Sequence, residues 1–375
     1  MPENLNSIFR NYWRDIDKSI LLSFLLLFFL GIFFSFASTS SLAGEKLNKD
    51  YYFFFSKHLI FSVFSIFLMI SISCFEINFI KKIIGPIFLI LLVTLFLVLL
   101  FGIEVKGSKR WLNLFFFRFQ PIEFLKPFFI VIIAKILSKE SLITTNTSYF
   151  LSFLCLILPC VILLNQPDVG QTVLLTFSWV AVVFISGIKI IYIFTLFGIA
   201  ISSIASLLFL FPDKFAYVFR RLEVFFDPSK GDRVQSSKAL DAIKEGGLTG
   251  QGMGEGTLKY RVPEAHTDYI ISVISEEFGS IISILIVCVF LYITFRVIKF
   301  ALSENDKFIK ISLCGLISLL MFQTFIHIGV NTSLLPTTGM TLPFLSYGGS
   351  SMLGSAMLAG IIVNLTKKKV VNESF

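Results

Sequence analysis

The chain has 375 residues and a formal net charge of +8; 55% of it is hydrophobic, only 15% is charged, and its mean hydropathy is +0.85. Soluble domains carry roughly 25% charged residues, so the composition excludes a soluble enzyme and leaves no room for a separate soluble domain. The positive balance suits a protein set among anionic lipids, and nothing in it points to nucleic acid.

Apolar runs of about 20 residues recur along the chain and predict one all-α polytopic membrane domain over residues 1–375. Ten transmembrane helices are expected, at about 19–37, 58–76, 83–103, 120–138, 148–164, 170–188, 190–211, 269–295, 309–330 and 350–366. The first run follows Arg10, Arg14 and Lys18 and lacks a convincing small-residue cleavage site, so it reads as a retained span. An even count puts both termini on one side. Lys367, Lys368, Lys369 and the basic amino terminus assign that side to the cytoplasm. Lys and Arg then number 15 on cytoplasmic segments and 16 on external ones, but nine of the 16 lie in one loop long enough to escape the rule. Without that loop the ratio is 15 to 7. Cys74, Cys155, Cys160, Cys288 and Cys314 all fall inside expected spans and read as small apolar filler.

The first informative loop holds Lys106, Lys109 and Arg110 beside Trp111. Three cations next to an indole suit a headgroup or pyrophosphate, with an ordinary interfacial anchor as the plainer alternative. Glu123 and Lys126, three apart on the fourth span, can pair on one face. Asp168, just before the sixth span, reads as a helix cap.

The loop of 57 residues from Pro212 to Asp268 dominates the chain. It opens on an amphipathic run, Lys214–Phe226, expected near the membrane interface. It closes on Pro263-Glu264-Ala265-His266-Thr267-Asp268, directly before an apolar run. Asp268 is either a helix cap or a reactive carboxylate held where water and lipid meet. At helical spacing Asp268, Ser272, Glu276 and Gly279 share a face, with Glu276 about 12 Å along the axis from Asp268. Carboxylates at membrane depth are costly and face a protein interior, which favours the reactive reading. Glu123, Lys126, Asp268 and Glu276 are therefore expected to converge on one crevice. The run from Leu335 to Ser351 is too rich in Pro and Gly for a continuous helix, and such backbone is tolerated only where it is buried or lines a cavity. His327, alone in its span, reads as a packing residue.

Taken in order, these segments resemble the SEDS family, the polytopic proteins of bacterial shape, elongation, division and sporulation. Pro263-Glu264-Ala265-His266-Thr267-Asp268 and Pro343-Phe344-Leu345-Ser346-Tyr347-Gly348-Gly349-Ser350-Ser351 carry the resemblance most specifically. Ala265 and the run Leu335–Phe344 look more like the division branch than the elongation branch. Ile122 and Ser275 depart from the residues common in the family, Ser and Gly, and remove no reactive group. The resemblance implies ten helices, both termini cytoplasmic, and a peptidoglycan glycosyltransferase that polymerises lipid II during septal wall synthesis. It implies as partners lipid II, a class B penicillin-binding protein, other membrane proteins of the division machinery and membrane lipids.

The resemblance also makes Asp268 the essential aspartate, Trp111 a sensitive loop residue and Glu123–Lys126 an interior acid–base pair. Lys106, Lys109, Arg110, Glu264, His266, Thr267, Glu276 and Ser346 complete the expected substrate-binding set. Transfer of a pyrophosphate-linked glycan to a sugar 4-hydroxyl needs a base, for which Asp268 serves. A pyrophosphate leaves as a stable anion, so cations (Lys109, Arg110 or Lys126) replace the second carboxyl that a glycosidase needs. No resident cofactor is implied, and a divalent cation, Mg or Mn, is the one candidate ion. The alternatives are a lipid II flippase and a non-catalytic division scaffold. A carrier has no need of a base at the external face, which separates the first alternative from the enzyme.

Overall fold

The computed structural model describes residues 12–47, 52–105, 108–114, 117–138, 145–192, 195, 198, 202, 216–226, 234–262 and 264–367. Helices α1 (Lys18–Leu47), α2 (Phe53–Cys74) and α3 (Ile77–Phe101) lead into a small antiparallel sheet. Its strands are β1 (Ile103–Val105), β2 (Ser108–Leu114) and β3 (Phe117–Phe119), paired in chain order. Then come α4 (Pro121–Ser138), α5 (Thr145–Asn165) and α6 (Val169–Ile185). The long polar loop holds α7 (Ala216–Phe226), α8 (Val234–Gly246) and α9 (Leu258–Arg261). The chain finishes with α10 (Ile270–Ser303), α11 (Lys307–Asn331) and α12 (Gly349–Leu365).

Among the described residues, six helices are long and apolar enough to cross a membrane: α1, α2, α3, α5, α10 and α11. Helices α6 and α12 are apolar but shorter, and α4 carries Glu123, Lys126 and Lys135. The polytopic helical fold is as expected. Most of the expected span at about 190–211 lies outside the described residues, as do Lys214, Phe215, Lys368 and Lys369. A short three-stranded sheet is added to the helical bundle. Leu112-Asn113-Leu114 and Phe117-Arg118-Phe119 alternate apolar and polar residues, a local pattern that suits a half-buried ribbon.

The core lies where α4, α11 and α12 meet, and these helices are buried along most of their length. Outer helices turn large apolar side chains away from the protein, with Phe67 and Phe101 each 71% exposed and Phe150 64%. Such a surface is costly in water and matches the lipid that surrounds a polytopic bundle.

Helix α10 is not one continuous rod. Gly279 has φ 85° and ψ 167°, so the helix breaks there. The turn after α8 fills the gap: Ser280 N donates to Gly247 O at 3.0 Å, Gln251 N to Glu276 O at 2.9 Å and Gly252 N to Glu277 O at 3.0 Å. Residues from Ile270 to Glu277 are all buried, whereas several after Ser280 are exposed apolar side chains, among them Ile284 and Phe295. The lipid-facing part of the expected span at 269–295 therefore begins after Gly279. The residues before it form a buried segment wrapped by the loop.

Both ends of the bundle are tied by polar contacts. At one end Arg296 pairs with Asp17 at 2.8 Å, and Lys81 with Asp306 at 3.3 Å. The Asp306 side chain also caps α11, accepting from the Phe308 and Ile309 amides. At the other end lie the sheet, the long loop, the 332–348 segment and Asp268.

Candidate active site

Asp268 ends a tight turn in which the Thr267 and Asp268 amides both donate to Glu264 O, at 3.1 and 3.0 Å. The cap residue of α10 is Tyr269, one position later than the capping alternative for Asp268 places it. Three successive carbonyls of this turn are each held from elsewhere. His266 O accepts from the Tyr347 amide at 3.1 Å, Thr267 O from Ser346 Oγ at 2.6 Å and Asp268 O from Asn331 Nδ2 at 3.0 Å. Asn331 also donates to His327 O at 2.8 Å, and its Oδ1 accepts from Ser272 Oγ at 2.7 Å. The Pro- and Gly-rich 332–348 segment thus lies against the turn. A methyl group built on Gly339, where φ is +70°, would stand 3.5 Å from Asp268 Oδ2. The absence of a side chain there lets backbone approach the carboxylate.

At the same end of the bundle is an apolar cavity of about 170 Å³, walled by Val169, Val173, Ile326, Leu335 and Pro336, touched by Arg221 of α7, and reaching Thr338, the neighbour of Gly339. Burial, reinforced by the Asp268 carboxylate, pushes the Tyr269 phenol up, and Arg221 opposes the shift. Asp268, Tyr269 and Arg221 therefore share one electrostatic neighbourhood, which brings the amphipathic α7 to the Asp268 end of the bundle.

The interior charges form a second group. Lys126 Nζ lies 2.8 Å from Glu123 Oε2 and donates to Gln323 Oε1 at 3.0 Å, while Gln171 Nε2 donates to Glu123 Oε1 at 2.8 Å. Gln323 passes the connection on, donating from Nε2 to Thr341 O at 3.1 Å. Arg110 Nε lies 3.6 Å from Asp168 Oδ2, and the same guanidinium donates to the carbonyls of Gln166 and Pro167. Asp168 also caps α6 through the Gln171 amide, as expected. Burial pushes the Asp168 carboxyl up, against the pull of Arg110 and of that amide.

The expected set thus separates into parts. Glu264, His266, Thr267, Asp268 and Ser346 are brought together. Ser346, however, is 2% exposed and its hydroxyl is engaged with Thr267 O and the Leu342 amide, so it supports the turn and offers no surface to a ligand. His266 packs its ring between Phe54 and Tyr347, with centroids 4.6 and 5.6 Å away. Glu264 accepts from the Thr267 hydroxyl at 2.8 Å. Glu276 is fully buried and accepts from the Thr257 amide and hydroxyl and the Leu258 amide, pinning the long loop from inside. It lines neither the apolar cavity nor the small void at Glu123 and Lys126. Glu276 is thus committed to the loop, in place of the crevice expected for it with Glu123, Lys126 and Asp268. Arg110 is likewise turned inward onto Asp168, while Lys109 on the same strand is exposed and Trp111 is half-buried. Lys106 lies outside the described residues.

Arg221, Asn331, Gln171 and Gln323 are the residues that sequence reasoning passed over. The last three are side-chain amides in apolar helices, Gln323 and Asn331 on the same one, and that setting is the one signal they carry. His327, read as a packing residue, also holds the 332–348 segment through a 2.8 Å bond between Nδ1 and Met340 O. Among the described residues no three His, Cys, Asp or Glu side chains gather as ligands for Mg or Mn.

Residues 17–370 match the FtsW/RodA/SpoVE family, described as cell cycle protein. A Caulobacter vibrioides protein named "Probable peptidoglycan glycosyltransferase FtsW" is 36% identical over 96% of this chain and 91% of its own length. A Buchnera aphidicola protein of the same name is 36% identical over 92% of this chain and 87% of its own. A solved chain from "Structural coordination of polymerization and crosslinking by a peptidoglycan synthase complex" superimposes with a TM-score of 0.76. It is 22% identical and covers 94% of this chain and 97% of the other, so the two share the fold. With the family match spanning nearly its whole length, the chain belongs to the FtsW/RodA/SpoVE family of cell cycle proteins, on its FtsW branch.

Proposed function

We propose that this protein is a peptidoglycan glycosyltransferase that polymerises lipid II at the division septum, with Asp268 as general base. The carrying observation is a carboxylate on a turn fixed through three carbonyls, at the end of the bundle that also holds an apolar cavity with an arginine at its wall. The Asp268 carboxylate takes the proton of the acceptor sugar's 4-hydroxyl as that oxygen bonds to the donor's anomeric carbon. The bond from that carbon to the pyrophosphate oxygen breaks, and the lipid pyrophosphate leaves with the electron pair. Arg110 and Lys126 are held in buried pairs with Asp168 and Glu123, which leaves exposed Lys109 of the expected cations, and Arg221 at the cavity wall is a further cation for the leaving group. The apolar cavity takes the first units of the donor's lipid, and exposed Lys109 contacts a headgroup. Similarity to a chain of a peptidoglycan synthase complex supports a class B penicillin-binding protein as partner. The Asp268 end faces outward, with both termini in the cytoplasm.

Purified protein with its cognate transpeptidase, given lipid II, tests the assignment. Asp268→Asn keeps the side chain's shape and loses the proton acceptor, so polymer formation falls by at least ~10²-fold while partner binding persists. Normal glycan synthesis by purified Asp268→Asn removes Asp268 as the base.

A further inference from the structure

Asp268 can serve as a base only if its backbone holds the carboxylate in one place, because catalytic groups lose effect when displaced by as little as about 1 Å. The turn that carries it has little regular structure of its own. Its fixed points are the Tyr347 amide on His266 O and the side chains of Ser346 and Asn331 on Thr267 O and Asp268 O. The two side chains approach from different elements, the 332–348 segment and the last turn of α11.

Both side chains are fully committed. Ser346 Oγ accepts from the Leu342 amide at 2.8 Å and donates to Thr267 O. That arrangement needs a group that is donor and acceptor at once, as a hydroxyl is. Asn331, with 0% exposure, spends Nδ2 on Asp268 O and His327 O and Oδ1 on the Ser272 hydroxyl. A carboxylate in its place could not donate to Asp268 O, and a leucine would satisfy none of the three partners. Ser272 stands one turn after Asp268 on α10. Asn331 therefore fixes the Asp268 carbonyl and the first turn of the following helix to a single side chain.

We propose that Asn331 and Ser346 are positioning residues for the reaction: two buried clasps that set where the Asp268 carboxylate points, without touching substrate. The proposal rests on the reading of Asp268 as the base. It predicts that opening either clasp lowers turnover and leaves substrate affinity alone, since the cavity and its arginine stay in place.

The test is steady-state polymerisation of lipid II by the full-length protein with its cognate transpeptidase. Ser346→Ala and Asn331→Ala should each lower kcat by about tenfold or more, with KM within about twofold of wild type. Ser346→Thr, which keeps the hydroxyl, should recover most of the rate lost in Ser346→Ala. In the Asp268→Asn background, Ser346→Ala should remove less than about twofold of the residual rate, because residues acting through one group are not additive. Should Ser346→Ala fail to accumulate, Ser346→Cys carries the same comparison, with its weak donor toward Thr267 O. Unchanged kcat in both clasp variants, while Asp268→Asn is inactive, overturns the positioning role and leaves the base intact. An equal loss with or without Asp268 also overturns it, and shows the clasps to be structural. An active Asp268→Asn sinks the parent reading, an outcome visible in the same assay and independent of the clasp variants.

Discussion

Glu123 and Lys126 show how a membrane interior tolerates charge. Each is below 5% exposed, and between them the 2.8 Å ion pair and two glutamine amides occupy three polar contacts. Removing one member strands the other, which typically costs about 3–5 kcal/mol, whereas removing both charges together leaves nothing unpaired. Lys126→Ala should therefore lower the thermal midpoint of the detergent-solubilised protein more than the double change Glu123→Gln/Lys126→Gln. The opposite ranking would mean that the pair stabilises more than its desolvation costs. The pairing itself was legible from its i, i+3 spacing. Its partners were not, because a glutamine such as Gln171 or Gln323 in an apolar helix names no contact. The same limit hid Asn331, whose importance comes from two chain neighbourhoods 63 residues apart. It also hid the inward turn of Arg110: a run of cations beside a tryptophan shows charge, but not which of them the strand points at Asp168.

At the scale of elements, the break in α10 separates what periodicity could foresee from what it could not. The stripe Asp268, Ser272, Glu276, Gly279 was read as one helical face, but Asp268 lies in the turn before the helix and Gly279 at its break. Its purpose was misread, because no local pattern says that a distant turn returns to close the ladder at Gly279. Glu276 then serves the loop and not a crevice. Gly279 sits at φ +85°, and a methyl built there would collide with Leu248 O. Gly254 has a nearly equal φ, +86°, with nothing within 4 Å of its built methyl. Backbone strain of this kind costs about 1–3 kcal/mol, so Gly254→Ala isolates strain while Gly279→Ala adds the collision. We expect Gly279→Ala to lower the thermal midpoint further than Gly254→Ala and to open the 247–256 region to protease. Equal behaviour of the two variants would show that the loop does not depend on close approach at the break.

For the whole molecule the remaining question is which end of the bundle faces outward. The expectation rests on the distribution of Lys and Arg, 15 against 7 once the long loop is set aside. The structure adds that the sheet, α8, α9 and Asp268 gather at one end, while Asp17, Lys81, Arg296 and Asp306 close the other. A reporter at each end decides the orientation. Ser236 is a poor site, being 4% exposed with its carbonyl accepting from Ser333. Ser237, its exposed neighbour on α8, and Ser303, exposed at the end of α10, are better placed. Because Cys74 and Cys288 are themselves exposed, the five native cysteines must first be replaced. In intact cells a membrane-impermeant maleimide should then label Ser237→Cys directly, and Ser303→Cys only after the membrane is permeabilised. Labelling of both from outside would contradict a bundle with its ends on opposite sides. Exclusive labelling of Ser303→Cys would invert the molecule and put Asp268 on the side where no glycan strand is laid down. The catalytic reading therefore requires Ser237→Cys to be the residue that reacts from outside.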